Sequence, residues 1–216
     1  MFRVGCSNKK FREIMNRLVV SAVIGSAIGL GIVLGIYKFQ EPTAIVYKDV
    51  TDPVVVIGGD FALKDQFGKK RSTAEFRGKI LLVYFGYTYC PDVCPMALEH
   101  ISKALKSLKR DRDKIAVVFV SVDPDRDTTD VLKIYSENFD RNIIMLTGAQ
   151  DDVQKAMKQY KVYAKKEMKE GMSDYLMNHT SVVYVMDRNG GYLSSFAHST
   201  PPEEIRSILL KVLLSA

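Results

Sequence analysis

The sequence predicts an α/β domain, with parallel strand pairs covered by helices, carried at its N-terminal side by a single membrane-spanning helix. Three observations predict it. Two apolar runs, Lys79–Gly86 and Ile115–Val122, lack the alternation of a half-wet strand and read as strands buried on both faces. Each is followed by a segment of helical periodicity, so strands and helices alternate. Ahead of both, the 20 residues from Leu18 to Tyr37 carry no charge. The rest of the composition is ordinary: 216 residues, 47% hydrophobic and 26% charged, with 14 Gly and 7 Pro. That excludes a disordered, collagenous or low-complexity chain and leaves enough length for a core without disulfide staples.

The elements follow in order. At about 1.5 Å per residue the Leu18–Tyr37 run spans a hydrocarbon core of about 30 Å. It is longer than the apolar part of a signal peptide and no small-x-small cleavage site follows it, so it reads as an uncleaved anchor. The basic flank, residues 1–17, stays in the cytosol, and the chain beyond the anchor faces the other side. Gly25 with Gly29 and Gly31 with Gly35 have the GxxxG spacing that lets helices pack closely, compatible with a weak homodimer. Residues 38–53, with Pro42, form a tether, and the folded domain is 54–216.

Within the domain, Phe61–Leu63, a turn at Asp65–Gly68 and Lys69–Ser72 predict a small hairpin. Lys79–Gly86 is a central strand. Ala97, Leu98, Ile101, Ala104, Leu105 and Leu108 then mark a helix. Ile115–Val122 is the second buried strand, Thr128–Phe139 a helix, Ile143–Leu146 a short strand and Asp151–Tyr160 a helix. Lys161–Ser173 is polar and reads as a surface loop. Ser181–Met186 and Gly191–Ala197 flank Arg188-Asn189-Gly190, a hairpin signal, and Pro201-Pro202 opens a last helix to about Leu214. This order resembles the thioredoxin-like fold with an N-terminal β-hairpin extension.

Charge excludes one function class. The net charge is +6. Residues 1–17 hold Arg3, Lys9, Lys10, Arg12 and Arg17 against Glu13, which is +4, so the rest of the chain contributes only +2. No basic run with interleaved aromatics follows, so nucleic acid is not an expected partner.

The chain has 3 Cys and 3 His. Cys6 precedes the anchor and reads as incidental. Cys90 and Cys94 form a private pair in the exported domain, on the loop between a strand and a helix, where an oxidising compartment permits a disulfide. With Pro95 expected at the first helical position, both sulfurs lie near unpaired backbone N–H groups. That location predicts lowered pKa values for both thiols. His100 is six residues past Cys94, about 600° around the helix, and points away. His198 is a polar loop residue. His179 precedes a strand, where a loop at the sheet end is able to face the cysteine loop; spacing alone leaves it between ligand and core histidine.

Three motifs in order, Phe85-Gly86-Tyr87-Thr88-Tyr89-Cys90-Pro91-Asp92-Val93-Cys94-Pro95, Ser121-Val122-Asp123-Pro124-Asp125-Arg126-Asp127-Thr128 and Asn178-His179-Thr180, resemble the Sco/SenC family of copper chaperones. The resemblance covers about residues 50–214 and includes the single N-terminal anchor. It implies that Cys90, Cys94 and His179 bind one copper ion, which is passed to the binuclear copper site of cytochrome c oxidase subunit II; the copper donor is not implied. Two thiolates and an imidazole suit soft Cu(I) and are also acceptable to Cu(II). No catalytic residue is assigned on this reading. Asp92 is a solvated carboxylate, and Asp123–Thr128 shapes a loop without binding metal.

Competing chemistries fit less well. Cys90 and Cys94 are separated by three residues where a thioredoxin-type reductase has two, and no proline lies between Pro124 and Pro201 to serve as its cis-proline. Val83 and Tyr87 stand where a peroxiredoxin needs Pro and Thr. C-x-x-C-H is absent, and a structural zinc site lacks a fourth ligand. The second reading kept is a thiol–disulfide reductase in which Cys90 and Cys94, as a redox-active pair, keep the oxidase's copper-ligand cysteines reduced. With 17 residues before the anchor, a bacterial inner membrane with the domain on the periplasmic side is the first expectation for location. A mitochondrial inner membrane facing the intermembrane space is the second.

Overall fold

The computed structural model describes residues 16–17, 56–168, 171 and 173–215. The expected anchor over 18–37, the tether over 38–53 and Cys6 lie outside the described residues. Among the described residues no helix is long and apolar enough to cross a membrane.

Among the described residues from 56 on, nine strands and four α-helices follow in the order β1 (Ala62–Asp65), β2 (Lys70–Ser72), β3 (Ile80–Gly86), α1 (Val93–Ser107), β4 (Ile115–Ser121), α2 (Thr129–Ser136), β5 (Ile143–Thr147), α3 (Gln150–Gln159), β6 (Ala164–Glu167), β7 (Leu176–His179), β8 (Val182–Met186), β9 (Tyr192–Ala197) and α4 (Pro202–Ser215). Seven strands form one sheet in the order β2-β1-β5-β4-β3-β8-β9. The β3–β4 and β4–β5 pairs are parallel and the others antiparallel. Every residue of β3 and β4 is buried, as continuous apolar runs require of central strands. Alternate side chains of β3 serve opposite faces: Tyr84 packs on Phe119, while Phe85 packs on Tyr160 and Tyr184. Because β3 and β4 run in parallel, their C-terminal ends, Gly86 and Ser121, lie side by side. The loops that follow them therefore meet at one end of the sheet, which is where the site is built.

The expected hairpin at Phe61–Ser72 is present, but it is part of the main sheet, because β1 pairs with β5. Its turn is closed by Asp65, whose carboxylate accepts the N–H groups of Phe67 and Lys69, each at 2.9 Å. Three expectations are corrected. Lys161–Ser173 is not all loop: Ala164–Glu167 forms β6 and pairs antiparallel with β7 in a separate two-stranded sheet. Its exposed Lys165 and Lys166 hide the strand, since Ala164 is its one apolar side chain packed against the core. The helix expected over Thr128–Phe139 ends at Ser136, where Asn138 bonds back to the Tyr135 carbonyl at 3.1 Å. Helix α1 begins at Val93 with Asp92 as its N-cap, so Pro95 is its third residue and not its first. The missing Pro95 N–H costs nothing there either, because the first turn leaves its N–H groups without helical partners.

Candidate metal centre

The site grows from the end of β3. Gly86 closes the strand where a Cβ would lie 2.9 Å from Cys94 Sγ and 2.6 Å from the Phe119 ring, so only a residue without a side chain lets the sulfur approach the strand. Tyr87 is buried next to it. Thr88 then ties the loop to the end of β4: its N–H and hydroxyl both donate to the Asp127 carboxylate, which also accepts the Ser121 hydroxyl at 2.6 Å. Asp127 is fully buried, and that burial raises its pKa against the opposing pull of these donors.

Cys90 is half-buried and Cys94, the second residue of α1, is fully buried; both are free thiols. The Cys94 N–H points at Cys90 Sγ at 3.4 Å, the use of a helix N-terminal donor that the sequence suggested. The expected lowering of both thiol pKa values is corrected, because the two sulfurs share one proton and split. Cys90 is lowered chiefly by the hydrogen bond from the Cys94 thiol, helped by His179 and by the backbone N–H groups of Cys94 and Asp92. Cys94 is raised, first by holding that proton toward Cys90 and then by its own burial. Depth, invisible in a CxxxC spacing, decides which sulfur keeps the proton.

His179 is the last residue of β7, not a loop residue, and its Nε2 lies 3.6 Å from Cys94 Sγ. Its Nδ1 faces the Thr180 carbonyl at 3.0 Å, which leaves Nε2 as the nitrogen turned to sulfur. The Tyr87 ring stands edge-on to the imidazole at 5.7 Å between centroids. The structure thus brings residues 85 positions apart together. The other two histidines lie elsewhere: Nδ1 of His100 meets the Thr200 carbonyl at 3.0 Å, half-buried against the approach to α4, and Nδ1 of His198 meets the Ser181 carbonyl at 3.2 Å. Asp92 is exposed, as expected.

The donor set fits a small soft cation in the dimension that can be measured. A sulfur at about 2.3 Å and an imidazole nitrogen at about 2.0 Å from one first-row ion lie about 3.5–3.7 Å apart for angles between tetrahedral and trigonal. Cys94 and His179 are at that separation. No three His, Cys, Asp or Glu side chains among the described residues are yet gathered into a closed cage. Their approach is pairwise: Cys90 Sγ faces the Cys94 N–H and Cys94 Sγ faces His179 Nε2, and holding an ion between the sulfurs would require Cys94 to give up its proton.

Sequence reasoning passed over Gly86, Tyr87 and Arg126. Gly86 ends an apolar run and reads as a strand boundary, Tyr87 as loop, and Arg126 as one charge among several; only the fold shows what each touches.

Comparison with known proteins places the chain. A family model described as SCO1/SenC matches residues 50–214. An SCO2-like protein of Rickettsia felis is 34% identical over 197 residues, covering 90% of this chain and 96% of its own. The structure of copper-bound ScoI from Bradyrhizobium japonicum is similar with 42% identity and a TM-score of 0.67, covering 72% of this chain and 99% of that one. BsSco, described with a disulfide switch and as a member of the Sco family of cytochrome c oxidase assembly proteins, is similar with 26% identity and a TM-score of 0.58 over 74% of this chain and 95% of its own. The chain belongs to the SCO1/SenC family.

Proposed function

We propose that this SCO1/SenC-family chain is a membrane-anchored copper chaperone that delivers copper to the binuclear site of cytochrome c oxidase subunit II, with Cys90, Cys94 and His179 as the ligands. The observation that carries the reading is the 3.6 Å approach of His179 Nε2 to Cys94 Sγ, made by a hairpin outside the main sheet. Thiol–disulfide exchange does not require an imidazole as a third donor, whereas the copper site does. The copper-bound relative supports the choice of ion. Cu(I) suits two thiolates and an imidazole, and Cu(II) is accepted by the same set. As cargo, the ion leaves by ligand exchange: an incoming thiolate displaces Cys90, the more accessible sulfur, before Cys94, so the ion is never free. We place residues 18–37 in the membrane as the anchor, with 54–216 as the copper-binding domain on the periplasmic side of a bacterial inner membrane.

A specific observation favours a second reading. Cys90, with its lowered pKa, adjoins a Cys94 that retains its proton, and this is the arrangement of an attacking and a resolving thiol. On it, the pair reduces the oxidase's copper-ligand cysteines. His179→Ala separates the two. The chaperone reading expects the variant in full chain to lose 1:1 copper binding and oxidase assembly together, whereas assembly that survives His179→Ala and fails with Cys90→Ser favours the reductase. Copper stoichiometry near zero for the reduced wild-type chain, with either Cu(I) or Cu(II), overturns the first reading outright.

A further inference from the structure

The copper reading leaves one motif without a task, the loop Asp123–Thr128 that follows β4. It touches both halves of the site. Toward the cysteine side, Asp127 holds Thr88 as described, and the Arg126 guanidinium lies over the rings of Tyr89 at 4.7 Å and Tyr87 at 5.9 Å. Toward the histidine side, Arg126 Nη1 donates to the Asp174 carboxylate at 3.0 Å and to the Tyr175 carbonyl at 2.9 Å, and the guanidinium is stacked on the Tyr175 ring at 3.7 Å. The Tyr175 hydroxyl donates to Asp123 at 2.9 Å, and Asp123 in turn accepts Arg126 Nε. Lys166, on the partner strand, donates to Asp125 at 2.7 Å.

The hairpin β6–β7 needs such ties. It has no ladder bond to the seven-stranded sheet, and β6 presents Lys165 and Lys166 to solvent. Strand β7 is held at its C-terminal end, where Thr180 leads into β8, in its middle, where Met177 is buried in the core, and at its N-terminal end, where Arg126 grips Asp174 and Tyr175. Apart from the two thiols, His179 has few ties of its own: Nδ1 bonds to the next residue's carbonyl, and Tyr87 offers a ring edge. Its position relative to Cys94 is therefore inherited from the strand that carries it.

We propose that Arg126 is a positioning residue of the metal centre, latching the β6–β7 hairpin to the cysteine loop so that the His179 imidazole stands at Cys94. The proposal deepens the ligand reading of Cys90, Cys94 and His179 and rests on it for its copper consequence only. Arginine suits the task because one planar group donates to three acceptors while its face stacks on an aromatic ring, which a lysine ammonium cannot do. Supporting shells of this kind typically set metal affinity by about 10–100-fold.

The test uses the full chain, reduced, in detergent micelles. Arg126→Met keeps the aliphatic stem and removes the fork; Asp123→Asn with Arg126→Met also removes the carboxylate left behind, in case the single variant does not fold. Arg112→Met is the comparator, since Arg112 likewise pairs with a buried carboxylate, Asp140, but touches neither cysteine loop nor hairpin. In the metal-free protein, loss of Arg126 is expected to shift the His179 imidazole resonances and to accelerate amide exchange over Leu176–His179, with Arg112→Met lowering thermal stability while leaving both unchanged. With copper, Cu(I) affinity by chelator competition is expected to fall about 10–100-fold, while sulfur-to-Cu(II) charge-transfer bands persist because the thiolates stay. Arg126→Lys is expected to rescue only part of either effect. His179 resonances and exchange that move no more than in Arg112→Met overturn the proposal. If the wild type binds no copper and the metal-free signals still move with Arg126, the ligand reading fails and the latch stands.

Discussion

Replacing Gly86 with alanine tests whether Cys94 sits where the site requires. The added Cβ meets Cys94 Sγ at 2.9 Å and Phe119 Cε2 at 2.6 Å, both inside any distance that real side chains adopt. Restoring ordinary contact at about 3.4 Å demands that the sulfur retreat by about 0.5 Å and the ring by about 0.8 Å. The backbone itself is not strained, since Gly86 is not among the residues of positive φ. Neither neighbour has room: Phe119 and Cys94 are both fully buried, so the change is an overpacking of about 1–3 kcal/mol. For a domain of this size that lowers the unfolding midpoint by about 2–12 °C. The same displacement reaches the limit of about 0.5 Å within which a preorganised site keeps its geometry, so copper affinity falls as well. Thermal unfolding of the reduced, metal-free chain reads the first effect, and Cu(I) competition against a chelator reads the second. An unchanged midpoint with unchanged affinity would refute the close approach of Cys94 to β3. A lowered midpoint with affinity intact would mean that Phe119 yields and the sulfur does not.

Three further outcomes follow from the structure. In the reduced metal-free chain, alkylation of Cys90 is expected to be nearly flat between about pH 6 and about pH 8, where an ordinary thiol gains about tenfold per unit, and Cys94 stays unmodified until the protein unfolds; a Cys90 rate climbing tenfold per unit contradicts the proton sharing. Because the folded Cys90 pKa is lowered, the unfolded chain holds the extra proton below the ordinary thiol value of about 8.5. The stability contributed by Cys90 therefore grows as pH rises toward about 8.5, and above it the raised Cys94 reverses the slope. Denaturant titrations of wild type against Cys90→Ser across this range check the sign. Asp65→Ala removes the acceptor for Phe67 N–H, Lys69 N–H and Arg71 Nε, and is expected to cost about 2–4 kcal/mol in the same titrations while leaving Cu(I) affinity at the wild-type value, since every bond it breaks lies within the first hairpin.

The elements that the sequence makes legible are those whose periodicity reports burial. Ile80–Gly86 and Ile115–Ser121 are continuous because both faces are covered, and Ala97, Leu98, Ile101 and Leu105 repeat at helical spacing because one face of α1 is buried. Where a strand gives only a single apolar side chain to the core, the signal vanishes. Ala164–Glu167 reads as loop for that reason, although its register against β7 sets Ala164 opposite His179. The thiols show the same limit in chemical form. A CxxxC loop before a helix announces two sulfurs near backbone donors, but the asymmetry between Cys90 and Cys94 depends on one being half-buried and the other fully buried, and spacing does not encode depth.

His179 marks the boundary between what residue type reveals and what only the fold reveals. Its imidazole names a chemistry, but its distance to sulfur is set by three separate devices: a glycine that lets Cys94 in, a buried aspartate that fastens the cysteine loop to β4, and an arginine that fastens the hairpin to the same segment. The last two, Asp127 and Arg126, are adjacent in Asp123–Thr128, so one short loop bears on both approaches to the site. A motif that supplies neither thiol nor imidazole thus bears on the approach of His179 to Cys94 as directly as those two residues do.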